Sequence, residues 1–291
     1  MADEPLDGYT KDAVRQHCET ALQRADVAGI FPTPIDRVLE VSGVNEILDI
    51  GDLPAVSTPK VLKQLLGAIL FDSRTVYVDK SQRGSRVEWT KGHEAAHKIL
   101  PWHEPAAYLD DDRRLFKESA ESLEDEANFG AEYLLFQGPR TMNMALDYQH
   151  GIAVPILLAS EATGGPSIAA YIRYYVENHP SPMALVMTGR RRSAAGTVPV
   201  YLRRSSATWN AQFPNPRKFI GPTLDITTGA FGLNGAVTKG SVTTGEVVVT
   251  DVNGKPQPSI VEAFDNGYVK FFLLRPRPLV RLGRRISTVI G

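Results

Sequence analysis

The residues best suited to chemistry are His93, Glu94 and His97, which stand in the order His-Glu-x-x-His. Residues four apart share one face of a helix, so two imidazoles in this spacing grip one metal ion from a single turn. Glu94, one position beyond the first ligand, is placed to meet a water on the metal rather than the metal itself. Zinc there lowers the pKa of the water, and the carboxylate takes its proton and later returns it to the leaving amine. Ala95 and Ala96 between them are small helix formers that leave room for an opposing helix. Composition alone produces such a match about once in a hundred chains of this length.

A catalytic zinc needs a third protein ligand and one open position. The predicted helix over 116–136 offers Glu118, Glu121, Glu124, Asp125, Glu126 and Glu132. Ala127, Gly130, Ala131, Leu134 and Leu135 mark its apolar stripe, and Glu124 extends that stripe upstream through Asn128, Ala131 and Leu135. Glu126 projects about 200° away on a helical wheel and is suited to solvent or to a contact behind the ligands. Glu124 is therefore the expected third ligand, with Glu126 the runner-up. His103, beyond Pro101, reads as an exposed loop histidine, with oxyanion stabilisation or substrate binding as its functional alternative. Tyr133 reads as core with a cleft position as its alternative, and Cys18 as a small buried hydrophobe. Gly164-Gly165-Pro166 is a turn, because no Lys-Ser/Thr pair follows to make a phosphate loop.

The elements that must position these residues follow from periodicity. Helices are predicted over 11–25 and 33–48, and a small hairpin over 67–79 turning at Ser73-Arg74. The metal-binding helix is predicted over 85–100, stopped by Pro101. An acidic link from Asp110 to Arg114 leads into the helix over 116–136, closed by Gly138-Pro139. Residues 140–180 stay helical but break at Gly151 and at Thr163-Gly164-Gly165-Pro166. Helix, Gly-containing turn, helix is the layout of a helix-turn-helix unit or of a plain helical hairpin. After Pro182 the runs ALVMTG, VPVYLRR, EVVVTDV and YVKFFLL are β-type, separated by turn residues.

The 291 residues carry a net charge of −1, but that figure is a cancellation. Residues 1–182 hold 17 Lys and Arg against 28 Asp and Glu, whereas residues 183–291 hold 15 against 5. An acidic half is thus joined to a basic β-rich half. Arg190-Arg191-Arg192 and Arg275, Arg277, Arg281, Arg284 and Arg285 make a solvated face or a surface for DNA phosphates. The single cysteine excludes a disulfide framework and a Cys-rich zinc finger. The acidic first residues lack a signal-peptide plan, and the longest apolar run, Ile152 to Ala159, is short and contains Pro155. The sequence predicts a soluble, cytoplasmic protein with no membrane partner.

His93-Glu94-x-x-His97, followed by Glu124-x-Glu126-Ala127-Asn128 and Gly130-Ala131-x-x-Leu134-Leu135, resembles the ImmA/IrrE metallopeptidases. In that family the ligand Glu lies four residues before the Asn of the second motif, which corresponds to Glu124 and Asn128. The β-run Val76-Tyr77-Val78-Asp79 and Arg86 match features that precede the family's first motif. Ala96 replaces the commoner Gly before the second His, and Leu134-Leu135-Phe136-Gln137-Gly138-Pro139 replaces the Leu-Leu-Met-Pro ending; neither change touches a ligand. The order of parts looks like the IrrE branch. The resemblance implies an α+β protein: a zincin-like helical peptidase domain with a small β-sheet over 1–139, a helix-turn-helix segment over 140–182, and a β-rich, GAF-like sensor domain over 183–291. It also implies a zinc-dependent, gluzincin-like endopeptidase, with Mn2+ as a substitute metal, acting as a stress-response regulator. Its substrate would be a helix-turn-helix transcriptional repressor, whose cleavage derepresses a stress or DNA-damage response. The alternative is a DNA- or protein-binding transcription regulator with a structural or vestigial zinc site, contacting DNA through its basic half.

Overall fold

The computed structural model describes residues 6–53, 66–105, 117–147, 151–161, 165–189, 197–225 and 239–277. The chain is mixed α+β and divides into two units: Met1–His150 with Val154–Tyr174, and Gly151–Ala153 with Tyr175–Gly291. No helix among the described residues is long and apolar enough to cross a membrane.

The first unit opens with helix α1 (Gly8–Arg24), started by Asp7, whose carboxylate accepts the Thr10 amide at 2.8 Å. Its buried face is Val14, Cys18, Ala21 and Leu22, the spacing of one helical stripe. Helix α2 (Ile35–Val41) is shorter than its predicted 33–48. Gly43, at φ 86°, turns the chain after Val41 in a conformation that side chains with a Cβ resist. Glu46–Asp49 then forms strand β1 instead of continuing the helix. It pairs in parallel with β3 (Thr75–Val78), which pairs antiparallel with β2 (Gly67–Leu70), giving the order β1-β3-β2. The expected hairpin at 67–79 is present, and Arg74 takes its turn with φ 55°. Parallel pairing to a strand nearly thirty residues away leaves no local signature, so β1 was invisible to periodicity.

Helix α3 (Gly84–Ile99) packs on this sheet, and helix α4 (Lys117–Phe136) packs against α3 and α1. Helices α3 and α4 meet at small residues. Ala95, Ala96, Ala127 and Ala131 are fully buried, and a Cβ added at Gly130 would stand 2.7 Å from the Ala96 Cβ and 3.5 Å from Cys18 Sγ. The end of α4 is tied down by Gln137, whose amide donates to the carbonyls of Val27 and Ile30 and accepts the Gly29 amide at 2.6 Å. The acidic link at 110–114 lies outside the described residues. Helices α5 (Pro139–Asp147), α6 (Ala153–Glu161) and α7 (Ile168–Asn178) follow. The first half of the predicted turn, residues 163–164, also lies outside the described residues.

In the second unit, strands β4 (Ala184–Thr188), β5 (Thr197–Ser205), β6 (Thr223–Asp225), β7 (Val242–Thr250), β8 (Pro256–Asp265) and β9 (Lys270–Pro276) form one sheet in the order β6-β5-β4-β9-β8-β7. Every pairing in it is antiparallel. Trp209, from the short helix Ala207–Gln212, and Phe213 fill its core beside Val186, Val261 and Leu274. Strand β8 gave no β signal in the sequence, because Pro256 and Pro258 interrupt its run. Several arginines of the basic half are held in ion pairs. Arg275 bonds Glu262 at 3.0 Å, Arg277 bonds Glu246 at 3.1 Å and Arg204 bonds Glu177 at 2.7 Å. Arg190–Arg192 and Arg281, Arg284 and Arg285 lie outside the described residues.

Candidate metal centre

Helix α3 carries His93 and His97 on one face, with their Nε2 atoms 3.2 Å apart. Helix α4 brings Glu124 against both: Oε2 lies 3.1 Å from His93 Nε2 and Oε1 lies 3.5 Å from His97 Nε2. One donor atom from each of the three residues lies within 4.8 Å of the others, a cluster that could hold a metal ion. The donor set suits the task. Among the described residues, two imidazole nitrogens and one carboxylate oxygen would give a borderline-soft set of three donors, which suits a zinc site that keeps a place for water. Both imidazoles turn Nε2 inward, and each Nδ1 has an anchor: His93 Nδ1 lies 3.2 Å from Asn128 Oδ1, and His97 Nδ1 lies 2.8 Å from His103 Nδ1.

The ionisable groups of the cluster shift one another. Hydrogen bonds from His93 and His97 hold the Glu124 carboxyl well below its ordinary range. Burial works against a charge on His93, but the bond to Glu124, the charges of Glu94 and Glu124 and the bond to Asn128 together raise its pKa. Glu94 is 6% exposed, and in the metal-free protein burial pushes its pKa up to about 7 against the pull of the two histidines.

Of the other carboxylates in α4, Glu121 and Asp125 are exposed and Glu132 is half-buried, while the side chain of Glu118 lies outside the described residues. Glu126 is buried but faces away from the cluster. Its Oε2 accepts from Trp102 Nε1 at 2.6 Å and lies 3.1 Å from His103 Nε2. His103 is therefore not an exposed loop histidine: it is 2% exposed, enclosed between His97 and Glu126, and so cannot meet a substrate directly. Pro101 ends the helix, and the chain then folds back so that residue 103 packs under its last turn, a contact that no periodicity announces. Tyr133 lies away from the cluster, its hydroxyl 3.4 Å from Glu19, which also pairs with Arg140. Cys18 is buried, and burial pushes its thiol up to about 12, which removes it from nucleophilic chemistry at neutral pH.

One residue that the sequence reading passed over bears on the site. A Cβ at Gly67, the first residue of β2, would stand 2.3 Å from Thr90 Cγ2 and 2.7 Å from Glu94 Oε1. The strand thus rests against the Glu94 carboxylate at a distance only glycine permits. The one available signal was a glycine opening a β-type run, which by itself marks close backbone approach. Gly67→Ala is expected to lower stability by about 1–3 kcal/mol in denaturant titration. Gly84→Ala, where nothing lies within 4 Å, is the matched control and is expected to leave the midpoint unchanged or slightly raised.

No protein-family model matches this chain, and no curated protein matches it. Among solved structures, a Mycobacterium tuberculosis transcriptional regulator is similar with a TM-score of 0.50 and 14% identity, covering 98% of this chain and 93% of that one. At that identity the likeness is one of fold, extending over nearly the whole length of both chains.

Proposed function

We propose that this protein is a cytoplasmic zinc endopeptidase of the ImmA/IrrE type that cleaves a helix-turn-helix transcriptional repressor and so derepresses a stress or DNA-damage response. The observation that carries the reading is the convergence of His93, His97 and Glu124 within 4.8 Å, with Glu94 buried on the same helix. In this reading residues 1–139 are the peptidase, 140–182 a helix-turn-helix segment and 183–291 a sensor domain. A zinc ion, when bound, supplies a Lewis acid that polarises the scissile carbonyl and acidifies water. His93 and His97 would hold it through Nε2 and Glu124 through a carboxylate oxygen. The Glu94 carboxylate takes a proton from the attacking water as the oxygen adds to the carbonyl carbon, then delivers that proton to the departing amine nitrogen as the C–N bond breaks. Among the described residues β2 stands at one edge of its sheet, with Gly67 against Glu94, so an extended substrate backbone would have a strand to pair with beside the base.

The second reading is a regulator that binds DNA or protein and whose metal site is structural or vestigial. It is favoured by the similar solved structure, which is named a transcriptional regulator. Purified full-length protein incubated with helix-turn-helix repressors, with and without a chelator, separates the two. Metal-dependent fragments that map to one bond support the peptidase. Intact repressors together with salt-sensitive DNA binding that survives metal removal support the regulator.

A further inference from the structure

Two metal ligands on one helix are anchored here in different ways, and the difference assigns roles to residues outside the ligand set. His93 rests its Nδ1 on the side-chain oxygen of Asn128, 3.2 Å away. His97 instead rests its Nδ1 on another imidazole, that of His103, 2.8 Å away. Two ring nitrogens that close share a single hydrogen, so one must donate and the other accept.

The direction can be worked out from the ligand end. A histidine that ligates through Nε2 carries its hydrogen on Nδ1, so His97 Nδ1 must donate and His103 Nδ1 must accept. A neutral His103 accepting at Nδ1 carries its own hydrogen on Nε2, and that hydrogen needs an acceptor, because His103 is only 2% exposed. Glu126 Oε2 lies 3.1 Å from His103 Nε2, and a carboxylate only accepts. The same oxygen takes the indole hydrogen of Trp102 at 2.6 Å, which fixes its position from a second side. Every donor in the chain from Glu126 to His97 thus meets an acceptor, which leaves His97 Nε2 as the nitrogen turned to His93 and Glu124.

We propose that His103 and Glu126 are positioning residues that act through His97, locking it in the tautomer that offers Nε2 to a metal and strengthening it as a ligand. The inference rests on the reading of His93, His97 and Glu124 as a metal site, and it replaces the roles that sequence alone allowed to His103 and Glu126. A partner that accepts the Nδ1 hydrogen of a ligand imidazole keeps its other nitrogen turned to the metal, and loss of such a partner lowers metal affinity about 10–100-fold.

Long-range 1H–15N spectra of the metal-free full chain test it first, because they report which nitrogen of each histidine carries hydrogen. The expected result is a hydrogen on Nδ1 of His97 and the Nε2–H form for His103. Zn2+ affinity is then read by competition with a chromophoric chelator. His103→Phe should bind Zn2+ about 10–100-fold more weakly and lose the single His97 tautomer, while His103→Gln, which can both accept from His97 and donate to Glu126, should restore much of the affinity. His97 found without a hydrogen on Nδ1 in the wild-type protein overturns the proposal without any variant having to fold. So does a folded His103→Phe protein with wild-type affinity. If the wild-type chain binds no Zn2+, the metal reading fails and the positioning role fails with it. Zn2+ binding that is indifferent to His103 defeats only the positioning role.

Discussion

Glu94→Gln is expected to leave the metal site loaded and to lower repressor cleavage by about 10²–10⁴-fold, the share of rate that a positioned general base supplies. Gln has the shape of Glu and keeps a carbonyl oxygen, so the close fit against Gly67 survives the change. What it lacks is an atom able to take a proton from water and hand it to the amine. Metal content after dialysis and turnover of a mapped cleavage site are the two measurements, and both are needed. Full activity in a metal-loaded Glu94→Gln protein would remove Glu94 from the mechanism. Stability offers an internal check on folding. Burial raises the Glu94 pKa from 4.5 to about 7 in the metal-free protein, so the unfolded chain ionises before the folded one as pH rises through that window. Wild-type apoprotein should therefore lose stability across it, and the neutral Gln variant should not.

Glu124→Ala is expected to lower Zn2+ affinity by more than the ~10–100-fold that loss of an outer partner costs. The reason is geometric. His93 and His97 supply two nitrogens from one turn of α3, and Glu124 reaches those Nε2 atoms from α4, at 3.1 and 3.5 Å. Without it, two ligands remain on a single helix and no third donor of the described residues is grouped with them. Equilibrium dialysis or chelator competition reads the loss, and Asp125→Ala, its exposed neighbour, should bind Zn2+ like the wild type. Equal affinity in the two variants would show that Glu124 is not a ligand.

The two histidines could be grouped from sequence because an i, i+4 spacing and a helical period are local facts, and α3 spans Gly84–Ile99 close to the predicted 85–100. Glu124 could be chosen because the stripe that buries Ala127, Ala131 and Leu135 also aims it across the helix pair. The same wheel pointed Glu126 away from the ligands, and the structure places it there. What it touches was beyond the wheel, because Trp102 and His103 reach it only once the chain has turned back after Pro101.

Pattern therefore determined which side chains share a helix face, where α1, α3, α4 and the β2–β3 hairpin form, and how acidic and basic residues divide between the two halves of the chain. Each of these depends on residues within a turn or two of one another, or on composition alone. Tertiary structure decided the rest. It made Glu46–Asp49 a parallel strand against β3 and set Pro-interrupted β8 between β7 and β9. It pressed Gly67 onto Glu94 and enclosed His103 between His97 and Glu126. These contacts join segments far apart in sequence, and burial, not local propensity, selects them: a polar group taken from water must find its partner wherever the fold has put one.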